Sequence, residues 1–389
     1  MHILLIPSWY PNTYNLLYGI YIKEQAEALS KYGVKVGVLS IEEINLLQIW
    51  KQKKLDFGYR LDVLNDVATY STQYPVPPKL HWIRRKIKLY VFKKMFQSYI
   101  EENGLPDMIH LHTFIVGELA MWIKETYGVP YVVTEHFTGF SREIISASDM
   151  NRARKVFTYS SCNIAVSNEF KNLLEEKTAQ DFIYIPNIVN TDFFTLKPLQ
   201  NREEFYFLNI AFLDKKKNQT MLIKAFHRAF GKQKNIKLII AGDGPEFKVL
   251  EKLIWNLDLG SQVSLYGKAS RDEVKKLLHN SDAFVLSSEY ETFGVVLIEA
   301  MSCGLPVLAT KCGGPESIVI NNTLGMLSDI KEEALVEKLV LMLKNKEHFD
   351  SKLIRDAAEK TFSERVVVSQ LKKIYQDILI TYQEKIDEK

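Results

Sequence analysis

Apolar runs of strand length alternate with helix-period segments from end to end of this chain, and that alternation restricts it to parallel α/β architecture. One series of strand-like runs lies at residues 3–6, 34–39, 108–111, 131–134, 163–166 and 182–185. A second lies at 206–211, 237–241, 263–266, 283–286 and 307–309. A proline-bearing stretch, 191–201, separates them. The division predicts two parallel-sheet units, 1–196 and 197–365, with an amphipathic helix after Phe362. At 389 residues the chain is long enough for two full cores.

Two such units make a dinucleotide-binding oxidoreductase the generic expectation, and the motifs oppose it. Ala241-Gly242-Asp243-Gly244-Pro245 follows a strand but is not G-x-G-x-x-G, and the turn from Ser8 to Gly19 holds one glycine. A charged content of 25% and a net charge of +3 describe an ordinary globular chain and point to no nucleic acid. Cys162, Cys303 and Cys312 have no metal-type spacing and suggest reduced thiols in the cytoplasm. No run reaches the ~18 apolar residues of a membrane span.

The densest chemistry is in Ser287 to Met301. Glu291 and Glu299 stand eight positions apart, with Phe293-Gly294-Val295 between them; Gly304 and Pro306 supply helix-stop signals. Thr292 is the expected N-cap, which leaves Glu291 in the preceding loop. A helix start preceded by glycine offers N–H groups and a positive dipole end to a phosphate. Glu299 then lies about 8 Å further along the axis.

With Glu-Ala-Met-Ser-Cys-Gly-Leu-Pro-Val, this segment resembles the E-x(7)-E motif of retaining family-4 glycosyltransferases of the GT-B fold. The resemblance implies two Rossmann-like domains facing across a cleft, with 366–389 crossing back onto the first. It implies a nucleoside-diphosphate sugar as donor, a glycan or lipid-linked acceptor, no cofactor and no metal. Glu291 would hold the donor sugar and Glu299 the ribose, while Phe293, Gly294 and Val295 open the helix. Leu222-Ile223-Lys224-Ala225-Phe226 resembles the family's helix text and places Lys217 on the phosphate-binding lysine. The family's companion arginine, five residues earlier, is Phe212 here. Gly267 and Lys268 either flank the base or form an ordinary turn. Gly313-Gly314-Pro315-Glu316 reads equally as a family turn and as plain helix capping.

In the first half, Gly19 resembles the glycine that admits the donor phosphates. His112 and His136 match the family's strand-end histidines and are the candidate acceptor-side residues, with Glu135 as the alternative polar group. His136, Glu291 and Lys217 form the candidate catalytic set: sugar transfer with retained configuration, the charge on the leaving diphosphate met by Lys217 and helix N–H groups. Neither glutamate is expected to support the core. A nucleotide-sugar 2-epimerase and a non-catalytic GT-B scaffold are the alternatives.

Residues 79–96 hold seven lysines and arginines, among them Arg84, Arg85, Lys86, Lys88, Lys93 and Lys94, and no acid occurs between Asp66 and Glu101. Ile83, Ile87, Tyr90 and Val91 fall on one helical face. Such a helix either presents a solvated basic face or lies on an anionic membrane, with Trp82 and Phe92 at the interface. A cytoplasmic protein, peripheral at the membrane, is the corresponding expectation.

Overall fold

The computed structural model describes residues 1–12, 17–45, 60–76, 81–200 and 202–387. The first sheet contains β1 (His2–Pro7), β2 (Lys35–Asn45), β3 (Arg60–Leu64), β4 (Val67–Val76), β5 (Met108–His112), β6 (Tyr131–Glu135), β7 (Cys162–Ala165) and β8 (Ile183–Tyr184). Its order is β3-β4-β2-β1-β5-β6-β7-β8, parallel except for the β3 edge. The second contains β9 (Phe205–Ile210), β10 (Ile236–Ala241), β11 (Val263–Gly267), β12 (Ala283–Leu286), β13 (Val307–Thr310) and β14 (Gly325–Ser328). Its order is β11-β10-β9-β12-β13-β14, parallel throughout.

The expected strands form with ends shifted by at most one residue, except β2, which runs to Asn45 instead of Leu39. β3, β4 and β14 were not expected. In β4 burial alternates along Val-Ala-Thr-Tyr-Ser-Thr-Gln-Tyr-Pro-Val, so its signal is period two and not an apolar run. Helices α1 (Ile20–Lys31), α2 (His81–Asn103), α3 (Gly117–Tyr127), α4 (Ala147–Tyr159) and α5 (Asn168–Thr178) accompany the first sheet. The second carries α6 (Gln219–Phe230), α7 (Phe247–Asn256), α8 (Arg271–His279), α9 (Val295–Ser302), α10 (Glu332–Lys344) and α11 (Ser351–Phe362). Strand order reverses between β1 and β5 and between β9 and β12, and ligands of open α/β sheets bind beyond the strand ends at such reversals.

The final helix, α12 (Glu364–Asp387), returns to the first domain. Val367, Val368 and Leu371 join the cluster of Ile3, Leu5 and Ile22, and Lys372 Nζ donates to Tyr32 O at 2.9 Å. Tyr375 is fully buried, its hydroxyl 2.5 Å from His110 Nδ1.

The basic segment is α2, with Lys79 outside the described residues. Its packed face is Phe92, Met95, Phe96 and Tyr99, all buried, while Tyr90 is 59% exposed. This corrects the expected apolar face, and Phe92 is not available to an interface. Arg84 donates to Glu43 on β2 at 2.6 Å, Lys88 lies 3.4 Å from the same carboxylate, and Arg85 pairs with Glu118 on α3. The acids absent from the segment itself are thus supplied by its neighbours. Lys93 sits over the Trp122 ring and Lys94 over Tyr90. No helix of the described residues is long and apolar enough to cross a membrane.

Removing the Tyr375 hydroxyl leaves a buried imidazole nitrogen without its partner. Tyr375→Phe is expected to cost about 1–3 kcal/mol, read as a lower urea midpoint at unchanged slope.

Candidate active site

The donor side is built from two loops. The strip after β9 runs unusually close to the β10 loop: Leu213 N donates to Asp243 O at 2.9 Å, and a Cβ on Gly242 would stand 1.9 Å from Ala211 O. The Gly-Asp-Gly-Pro glycine therefore makes room for protein backbone. A 3-10 turn, Lys215–Lys217, then leads into α6 through Asn218, whose positive φ and side chain cap the helix. The second loop follows β12. Ser287 Oγ donates to Lys217 O at 2.9 Å and Glu289 N to Lys216 O at 2.7 Å, fixing one loop on the other.

These bonds bring Lys217 Nζ onto Glu291 Oε1, to which Ser288 Oγ also donates at 2.8 Å. Thr310 Oγ1 in turn holds Ser288 O at 2.5 Å. Glu291 is 9% exposed. Behind it, Gly313-Gly314 packs on the same loop: a Cβ on Gly314 would meet Phe293 N at 2.4 Å. Pro315 opens a 3-10 turn and Glu316 in that turn accepts from Gly313 N at 3.1 and 3.2 Å, as the capping reading expects.

Thr292 is not the N-cap. Gly294 is, at φ +105°, and no side chain caps α9 or places an acid in its first turn. Thr292 Oγ1 instead donates across the cleft to His136 O at 3.2 Å. Phe293 is buried, edge-on to Phe362 at 5.8 Å. Val295 begins the helix, so its amide stands at the uncapped start, four residues after Glu291.

Glu299 is 3% exposed and bound by a residue absent from the expected set. Arg271 at the start of α8 donates to Glu299 Oε1 at 2.6 Å and to Glu24 Oε1 of α1 at 2.5 Å. Its guanidinium lies 4.7 Å from the Phe194 ring centroid. Burial pushes the Glu24 carboxyl up to about 7, opposed by Arg271 and reinforced by Glu299. The expectation that neither glutamate supports the core therefore fails for Glu299. A signal was present: an arginine in the first turn opposes the helix dipole unless acids surround it. Gly267 and Lys268 precede Arg271 at the end of the edge strand β11; Lys268 is exposed and a Cβ on Gly267 would meet open space.

On the opposite wall His112 Nδ1 and His136 Nε2 are 3.1 Å apart, and His110 stacks on His112 at 4.4 Å. Burial pushes His110 and His136 down to about 3 and His112 well below its usual range, so all three are neutral. Neutral imidazoles hydrogen-bond hydroxyls and do not act as acids near pH 7. His112 Nε2 is buried with no partner among the described residues. Glu135 is fully buried and is committed to backbone: it accepts from Phe114, His136 and Phe137 N–H at 2.8–2.9 Å. It shapes the loop that carries His136. Gly19 takes φ +67° at the start of α1, where a Cβ would stand 2.3 Å from Trp9 O; its need for glycine is met inside the protein. Phe212 is 60% exposed. Among the described residues no group of three or more His, Cys, Asp or Glu side chains is placed to hold a metal ion.

Glu299→Ala removes a buried acceptor from Arg271 and is expected to destabilise by about 1–3 kcal/mol. Glu291→Ala leaves Lys217, whose side chain is 19% exposed, able to reach water, and is expected to cost under about 1 kcal/mol. Urea unfolding without nucleotide distinguishes the two.

Two family models cover the chain in succession: Glycosyltransferase Family 4 over residues 19–193 and Glycosyl transferases group 1 over 192–360. An uncharacterized glycosyltransferase of Methanocaldococcus jannaschii is 30% identical over 293 residues, covering 73% of this chain and 79% of that one. Sucrose-phosphate synthase from Thermosynechococcus elongatus superposes with a TM-score of 0.79 at 18% identity, over 98% of this chain and 100% of its own. Anabaena HepE, solved with UDP, gives 0.74 at 18% identity, over 97% and 100%. Two parallel sheets with facing strand ends, a returning last helix and this relationship lead to one assignment: the chain belongs to the group 1, family 4-type glycosyltransferases of the GT-B fold.

Proposed function

We propose that this glycosyltransferase moves a sugar from a nucleoside diphosphate to an acceptor hydroxyl with retention of anomeric configuration and without a metal, in the synthesis of a cell-surface polysaccharide or glycolipid. The observation that carries the reading is the Lys217–Glu291 pair, whose glutamate precedes by four residues the start of α9, a start that no side chain caps. Without donor, each group neutralises the other. When a diphosphate lies at the helix start, the lysine has a more highly charged partner, and Glu291 becomes available to sugar hydroxyls. As the glycosidic bond breaks, negative charge grows on the departing diphosphate. Lys217 and the first N–H groups of α9 are preorganised for that charge. Glu299 accepts from the ribose, while the neutral His136 and His112 hydrogen-bond hydroxyls on the facing wall.

The UDP in the HepE structure supports a nucleotide-sugar donor. Retention is supported by the E-x(7)-E arrangement. Lys217 stands without the companion arginine, since Phe212 occupies that place, so the diphosphate depends on one lysine. Docking of α2 on an anionic membrane completes the proposal, narrowed to the exposed Arg85, Lys86, Tyr90 and Lys94.

Glu291→Ala and Lys217→Ala are each expected to lower turnover at least about a hundredfold. Transfer should continue in EDTA. Loss of transfer restored by magnesium would require a metal in the step, and an inverted product by NMR would remove the retaining mechanism. Wild-type protein should co-sediment with phosphatidylglycerol vesicles at low salt and be released as ionic strength rises, and Lys86→Gln with Lys94→Gln should weaken this. No co-sedimentation would leave α2 as a solvated helix.

A further inference from the structure

Glu24, Arg271 and Glu299 come from three helices and two domains, and none of the three is needed to build its own helix. Arg271 follows Ser270, whose capping box with Glu273 satisfies the start of α8. Its guanidinium is bonded to Glu299 Oε1 and Glu24 Oε1 and rests on Phe194 of the segment joining the domains. The group is held on three sides and cannot turn without breaking a charge-assisted bond.

The cluster carries two carboxyl groups and one guanidinium in a buried place, a net charge of −1 when both acids are ionised. Glu24 Oε2 is buried with no partner among the described residues. Glu299 has Arg271 on Oε1, and none of the described residues donates to its second oxygen. The unmet demand is for neutral hydrogen-bond donors. A second cation would add another charged group to be desolvated in a buried place, and an anion would be repelled. A vicinal diol, with two adjacent O–H donors, fits that demand.

We infer that Arg271 and Glu24 are positioning residues for the ribose of the donor: Glu24 anchors Arg271 from the first domain, and Arg271 orients the Glu299 carboxylate to accept from the ribose hydroxyls. The inference rests on the reading of Glu299 as the ribose-binding carboxylate and extends it across the cleft. Ribose recognition then requires both domains, and the first domain contributes to nucleotide selection without touching the base or the phosphates. Donor binding and domain closure become one event, because the site is complete only when α1 meets α8 and α9.

The test uses the full chain and calorimetry. UDP and GDP are titrated first, and the tighter of the two is compared with its 2′,3′-dideoxy analogue in wild type, Glu299→Gln, Glu24→Gln and Arg271→Lys. Lysine keeps the charge and loses the fork that spans two carboxylates. Wild type is expected to prefer the ribonucleotide by at least about tenfold. Each variant should compress that ratio toward one, mainly by weakening the ribonucleotide, and binding of the dideoxy analogue should stay within about threefold of wild type. A merely structural role would weaken both ligands together and leave the ratio intact. If Glu299→Gln compresses the ratio while Glu24→Gln and Arg271→Lys keep it, the inference is overturned and the ribose reading stands. If Glu299→Gln keeps it, or neither nucleotide binds, the ribose reading falls and takes the inference with it. A variant that does not fold is replaced by Glu24→Ala, which removes the anchor without touching the second domain, and the same ratio decides.

Discussion

Everything at the cleft depends on how two buried carboxyl groups are partnered. Removing a carboxylate from water costs several kcal/mol unless a cation and further donors replace the hydration. Glu291 meets that demand with Lys217 and Ser288, and Glu299 with Arg271. These partners come from different loops, so satisfying the charges fixes the loops: the turn after β9 against the loop after β12, and α8 against α9.

The same economy joins the domains. Thr292 reaches His136 O, Ser167 Oγ reaches Gly313 O at 3.0 Å, and Ser317 Oγ accepts from Asn168 N at 2.9 Å and donates to Glu169 at 2.5 Å. Each of these contacts is a single polar bond, easily exchanged for water when the cleft opens. The covalent and apolar links lie elsewhere. Arg355 donates to Thr191 O, Phe194 O and Ser302 O, binding the connecting segment to the end of α9, and α12 buries its apolar face on β1 and α1. A rigid back and an exchangeable front are what a hinged cleft requires.

Much of this was legible in the chain. Most parallel strands in both sheets announce themselves as continuous apolar runs because helices cover both faces, while β4 and β14 do not. The Phe-Gly start of the helix that carries Glu299 was readable because glycine and proline mark loop ends locally, whereas Lys217 was singled out only by the family resemblance. What was not legible was long-range. Nothing near Arg84 or Lys88 in sequence indicates that Glu43 will neutralise them, and the segment read in isolation overstates its basic face. Thr292 has the right chemistry for an N-cap, but Gly294 takes the positive φ at which α9 starts and leaves the threonine to bond across the cleft. Glu24 sits in an unremarkable helix, and only the packing of α1 against α8 gives it a role.

Phe212 shows where local and long-range information must be combined. An arginine there would add a second cation near the turn that carries Lys217. Its absence leaves an exposed apolar ring and a turn with three consecutive lysines, of which Lys216 lies 3.7 Å from Asp214. That pair is half-exposed and weakly held, since surface ion pairs contribute little. Lys217, by contrast, is tied to a buried acid and positioned by the Ser287 bond to its own carbonyl. The available positive charge is therefore concentrated on one well-placed side chain with a mobile reserve nearby. A lysine is a point charge on a flexible stem, where an arginine fork would fix one geometry.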